Sequence, residues 1–160
     1  MLIKDIYRVI FVPNYNVQFL LKLSQTFQKK GFEFLARHVR YRIFYKYGIH
    51  ISSGSQLGNN IVFPHPQGII IGNGAIVGDD CIIYHQVTLG KKRGALDETR
   101  DYPIIGNNVV IFPGAKIIGG VEVGNNAIIA PNSVVISNVE ADTVYAGIPA
   151  RKISDNLGGE

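Results

Sequence analysis

Hydrophobic positions along the chain follow two different periods, and the change falls at Gly48. Before it, Val17, Leu20, Leu21, Leu23 and Phe27 recur at three- and four-residue steps behind Asn14 and Asn16. That spacing predicts a helix with the asparagines as caps and Gly31 as its end. Phe32 to Tyr47 continues as a second amphipathic stretch, with Arg37, Arg40, Arg42 and Lys46 around an aromatic and aliphatic face. A shorter helix is expected over residues 2–11, stopping before Pro13 because a following proline disfavours helical backbone.

After Gly48 the period is six. Ile105, Ile111, Ile117, Val123, Ile129 and Val135 form an unbroken series, and four residues after each stands Val109, Ala115, Val121, Ala127, Ser133 or Val139. The same register holds for Ile71, Val77, Ile83 and Leu89 with Ala75, Cys81 and Val87, and upstream for Ile51, Leu57 and Phe63. Gly58-Asn59-Asn60, Gly72-Asn73-Gly74, Gly78-Asp79-Asp80, Gly106-Asn107-Asn108 and Gly124-Asn125-Asn126 supply corners that tolerate left-handed backbone. Short strands, Gly/Asn corners and a step of six predict a hexapeptide parallel β-helix whose neighbouring coils bury each other's aliphatic positions. At about 18 residues per triangular coil, residues 51–139 make roughly four to five coils.

Two breaks in the register stand out. Phe63 to Ile71 is eight residues rather than six, around Pro64-His65-Pro66-Gln67-Gly68. Leu89 to Ile105 is sixteen, so ten extra residues project as a loop at about 91–103. Repeat architectures carry insertions on a binding face, which places the expected site beside these breaks.

Totals change the picture less than their distribution. One core accounts for 160 residues, and 46% hydrophobic with 18% charged residues excludes a low-hydrophobicity disordered chain. A net charge of +4 does not call for nucleic acid, the single Cys81 excludes an internal disulfide, and no run is long enough for a membrane helix. The start does not read as a signal peptide, so a cytoplasmic protein is expected. The first 48 residues hold 11 of the 16 Phe and Tyr and sum to +7, whereas the remainder sums to −3 and holds 16 of the 18 Gly. The chain therefore divides into a helical cap at 1–48, a β-helix at 49–153 and a tail at 154–160. The cap is expected to cover the open end of the coil, with weak contact to an anionic membrane surface as a further role for its charge.

Four histidines are candidates for chemistry. His38 lies in the basic helical part and is set aside. His65 sits in the two-residue insertion between prolines, where a coil has no structural need for imidazole and a base near neutral pKa suits proton abstraction from a hydroxyl. His50 and His85 lie fifteen residues before and twenty after it, within reach from adjacent coils of the same or a neighbouring chain.

The segment from His65 through Val87-Thr88-Leu89-Gly90, then the loop, then Pro103 to Val135 and Ala146-Gly147-Ile148-Pro149-Ala150-Arg151, resembles the serine O-acetyltransferase group of hexapeptide acyltransferases. In size and in its brief helical start the chain resembles still more the short enzymes that acetylate capsular or colanic-acid-type sugars. The resemblance implies a left-handed parallel β-helix, a homotrimer and acetyl-CoA bound between chains, with no metal. It implies His65 as general base and an oxyanion held by backbone N–H groups near Gly90 to Lys92. It further places Thr88, Gly90, Lys91, Lys92, Pro113, Gly114, Ala115, Pro131, Ala146, Gly147, Arg151 and Lys152 along the acetyl-CoA groove.

Departures from the family pattern bear on the acceptor. Serine acetyltransferases carry an Asp before the catalytic His, an Arg-His pair before the proline that restarts the coil, and a dyad carboxylate; Pro64, Asp101 with Tyr102, and His50 stand there. His85, Arg100, Asp101 and Tyr102 are thus the acceptor-side candidates, with His50 beside His65 in the catalytic set. An anionic Asp101 repels a carboxylate. The expected acceptor is therefore a sugar or glycan precursor, with serine as the alternative. A zinc-dependent carbonic anhydrase-like β-helix is a further reading, although the spacing of its three His ligands is missing.

Overall fold

The computed structural model describes residues 3–92 and 101–156. Three helices come first: α1 (Ile3–Phe11), α2 (Pro13–Lys29) and α3 (Glu33–Tyr47). Pro13 opens α2, where its fixed φ and missing N–H cost nothing, so Asn14 and Asn16 lie inside the helix and do not cap it. Both tie elements together. Asn14 Oδ1 accepts from the Phe63 N–H at 3.1 Å, and Asn16 donates to the Val9 carbonyl at 2.7 Å while accepting from the Tyr47 hydroxyl at 2.8 Å. Gly48, in left-handed conformation, stops α3 two residues before the first strand.

From His50 onward the chain winds as a left-handed parallel β-helix with three faces. The first face stacks strands His50–Ile51, Ile70–Ile71, Thr88–Gly90, Lys116–Ile118 and Val134–Val135. The second stacks Gln56–Leu57, Ile76–Val77, Ile104–Ile105 and Glu122–Val123; the third holds Ile82–Ile83, Val110–Ile111, Ile128–Ile129 and a closing antiparallel hairpin of Thr143–Gly147 with Ala150–Asp155.

Strand register restates the six-residue arithmetic. Ile70 pairs with Thr88 and Lys116 with Val134, each eighteen residues on, whereas His50 pairs with Ile70 after twenty and Thr88 with Lys116 after twenty-eight. The two insertions are thus absorbed outside the ladder. They fall at different edges: the short one where the third face turns into the first, the long one where the first turns into the second, so both flank the first face. The final coil is tighter than the period predicts, since Ile128 pairs with Val144 and Val123 with Val139 after only sixteen residues.

The interior is the predicted pair of series. Ile71, Ile83, Leu89, Ile111, Ile117 and Ile129 are wholly buried, with Ala75, Cys81, Val109, Ala115, Ala127 and Ser133 between them. Burying one such aliphatic side chain stabilises the fold by roughly 1.5–3 kcal/mol. Val17, Leu21 and Ile43 of the helices join the same cluster, which docks the cap on the first coil. At the edge between the second and third faces an Asn/Asp ladder runs from coil to coil, with backbone N–H of Asn59, Asp79 and Asn107 donating to Oδ1 of Asp79, Asn107 and Asn125 at 2.6–2.8 Å. A Cβ on Gly78 would strike the next coil, so the ladder's close approach demands glycine.

Candidate active site

His65 owes its position to the short insertion. Along its edge, Asn132 N–H bonds the Pro113 carbonyl, Gly114 N–H the His85 carbonyl, and Gln86 N–H the Gln67 carbonyl, at 2.9–3.0 Å. Gln67 therefore takes the rung that His85 and Pro113 take in later coils, and the two extra residues bulge outward with His65 between two prolines. The ring is exposed. It lies edge-on to His85, with centroids 5.9 Å apart, and tilted 6.4 Å from Tyr84, whose own ring stacks on Phe112 at 5.3 Å. His85 is half-buried, and its Nδ1 is buried with no partner among the described residues.

His50 stands elsewhere in the chain. Its exposed ring meets Phe44 of α3 edge-on at 6.1 Å. It lines a cleft of about 510 Å³ between α3 and the first two coils, with Glu33, Arg37, Arg40 and Tyr41 on the helix side and Ser52 and Asn73 on the coil side. Arg40 donates to Gln28 Oε1 at 2.6 Å and to the Ser52 carbonyl at 3.4 Å. Its Nε is buried without a partner among the described residues, and burial lowers its pKa against the opposing pull of Glu33. The sequence reading set Arg37 and Arg40 around an aromatic and aliphatic helix face; docking of α3 on the coil turns that side into a wall of the cleft.

Of the acceptor-side candidates, Arg100 lies outside the described residues, as do residues 93–99 of the long loop. Asp101 is half-buried. Tyr102 lies across Gly72 and packs against the core cluster; any Cβ at Gly72 would collide with its ring.

Most of the groove candidates share the His65 edge. Pro113 and Gly114, then Pro131, then Ala146 and Gly147 follow His85 up the coil, and Gly147 N–H reaches Ser133 Oγ at 3.2 Å to bind the last turn to this edge. Thr88 and Gly90 lie on the adjoining first face, with exposed Lys91 and Lys92 at its far end. Ala115 is wholly buried, so it fills the coil and offers no side chain to a groove. Lys116, which the sequence reading passed over, places its ammonium on this edge through the carbonyls of Gln86 and Gly114 at 2.6 and 2.9 Å. Arg151 is exposed, whereas Lys152 is held by Glu140 and Asp155 at 3.0 and 2.8 Å, and the two carboxylates push its ammonium above the usual lysine range.

Comparison with known proteins places this arrangement. Residues 102–137 match the family model described as bacterial transferase hexapeptide (six repeats). Serine acetyltransferase of Synechococcus elongatus is 42% identical over 66% of this chain and 43% of its own length. That of Synechocystis is 38% identical over 88% of this chain and 56% of its own. Among solved structures, Neisseria gonorrhoeae serine acetyltransferase superposes with a TM-score of 0.84 at 26% identity, covering 96% of this chain and 58% of that one. The Brucella abortus enzyme in complex with coenzyme A gives 0.80 at 30% identity, covering 94% and 59%. The chain thus spans about half the length of the curated relatives it matches. These findings overturn the expectation of a sugar or glycan acceptor, because the relatives and structural neighbours alike are serine acetyltransferases. A few altered positions had outweighed the rest of the chain in that expectation, and the similarity over 88% of the chain to the Synechocystis enzyme runs the other way. The chain belongs to the hexapeptide-repeat acyltransferase family.

Proposed function

We propose that the protein is an O-acetyltransferase that moves the acetyl group of acetyl-CoA to the hydroxyl of serine. The observation that carries this reading is His65, extruded from the ladder by the insertion and standing at the foot of the edge lined by His85, Pro113, Gly114, Pro131 and Gly147, on a chain similar over most of its length to serine acetyltransferases.

In this reading the pantetheine arm lies along that edge, where proline and glycine let it approach the backbone, and Lys116, Lys91, Lys92 and Arg151 are the cations nearest its phosphates. His65 takes the hydroxyl proton of serine as that oxygen attacks the thioester carbonyl. The resulting oxyanion is held by N–H groups near Gly90 to Lys92. Collapse breaks the C–S bond, and the imidazolium returns its proton to the departing CoA thiolate. By sequence position His50 falls where the family has a carboxylate, and an imidazole offers no negative charge to offset the His65 imidazolium, which predicts a slower enzyme. We assign the working unit as a trimer with acetyl-CoA between chains. Ile70, Ile104 and Ile136, all exposed on the coil surface, supply apolar area for such packing.

The test is release of free thiol from acetyl-CoA with serine, homoserine and a set of sugars as acceptors. Serine-dependent release is expected. Release with a sugar and none with serine would reject the proposal.

A further inference from the structure

Neither the family pattern nor the proposed mechanism uses the arginines of α3. Arg37 and Arg40 lie three residues apart on one helical face and Glu33 one turn before Arg37, so all three meet the same cleft. Opposite them stand His50 and Asn73. Asn73 follows Gly72, across which the Tyr102 ring lies, so the cleft adjoins the corner where serine acetyltransferases carry an Arg-His pair and this chain carries Asp101 and Tyr102. Among the described residues that corner offers Asp101 and Tyr102, and two arginines stand at the wall beside it. Arg40 is half-buried, with one N–H to Gln28, one to a backbone carbonyl and its buried Nε unpartnered among the described residues. The buried Nε is closed to a ligand, but each terminal nitrogen of the guanidinium keeps one N–H beyond these bonds for an anion in the cleft that Arg40 lines, and its planar fork suits a carboxylate.

We propose that the cleft between α3 and the first two coils recognises a free α-amino acid, Arg37 and Arg40 binding its carboxylate and Glu33 its ammonium. The proposal rests on the serine reading above and deepens it: recognition of the acceptor's carboxylate has moved from the loop corner to a helix. About 510 Å³ is ample room for one amino acid, and the Tyr41 and Phe44 rings wall the cleft beside the charged groups. Asp101 is then no obstacle, since the carboxylate does not seat on it.

Two measurements on the full-length protein decide the matter. Calorimetry gives the affinity for L-serine, L-serinamide (no carboxylate) and 3-hydroxypropionate (no ammonium). Steady-state kinetics gives KM for serine and for acetyl-CoA. The proposal expects serine to bind best, and Arg37→Gln and Arg40→Lys each to weaken serine binding and raise its KM by roughly 10- to 100-fold, as loss of a charged hydrogen bond does. KM for acetyl-CoA stays where it was, and the preference for serine over serinamide narrows. Arg37 is exposed and so tests the idea without disturbing the fold, while Arg40→Lys keeps the charge and removes the fork. Serine turnover and binding indifferent to both substitutions overturn this proposal alone. A wild-type protein that neither turns over nor binds serine overturns it together with the functional reading; arginine-dependent binding without turnover supports the cleft and rejects only the reading.

Discussion

The helical cap and the β-helix use their apolar residues in opposite ways. In the coil the six-residue series faces inward along Ile71, Ile83, Leu89, Ile111 and Ile129, while large residues off that series, such as Ile70, Ile104 and Ile136, stand exposed on the outer faces. In the cap the buried apolar residues among those described are Val17, Leu21, Ala36, Val39 and Ile43, while Phe34 and Tyr45 stay 80% and 81% exposed. One region is a rigid ruler that positions groups by register; the other is a charged, aromatic shell that positions them by docking. On the proposed function, the acetyl-donor chemistry falls to the ruler and the choice of acceptor to the seam between ruler and shell.

The largest effect should come from the ruler. His65→Ala is expected to lower kcat by roughly 10² to 10⁴. Because the ring is exposed, thermal unfolding of the variant should match wild type, and a lost transition would show His65 to be structural. Next come truncations on either side of the seam. Ile111→Ala in the coil and Leu21→Ala in the cap should each cost about 2–5 kcal/mol in denaturant unfolding. Only the second should spare binding of coenzyme A, since Leu21 packs the cap and not the His65 edge; equal loss of binding in both would erase the distinction. A smaller cost, about 1–3 kcal/mol, is expected for Gly72→Ala, whose added Cβ displaces Tyr102 and disturbs the corner beside the cleft. The smallest is a protection effect. Burial pushes the Cys81 thiol up, so alkylation of the native protein should be slow and should speed only as urea opens the coil.

The coil was legible because its core is one-dimensional: each aliphatic position sees only the coil above and below, so counting by six recovers the interior, and the paired strands return the same offsets of two and ten residues. Counting could not say at which edge an insertion falls, since the period carries no label for the three faces. It also missed the shortened last coil, because Val139 fits the six-residue series although it pairs with Val123. Asn14 and Asn16 were misread as caps since a helix start is local chemistry, whereas their actual partners, Phe63 and Tyr47, are distant in sequence. The cleft was invisible for the same reason. Nothing in the spacing of Arg37 and Arg40 announces that His50 and Asn73 will face them. The acceptor was misjudged because single positions were weighed one by one against the similarity of the rest of the chain to serine acetyltransferases.

The most direct test of the account is to incubate the purified protein with acetyl-CoA and L-serine, alongside His65→Ala, and to identify the products by mass spectrometry. The account predicts O-acetylserine and free CoA in equal amounts from wild type and neither from the variant above background. Equal product from both proteins, or CoA released without acetylated serine, would contradict it.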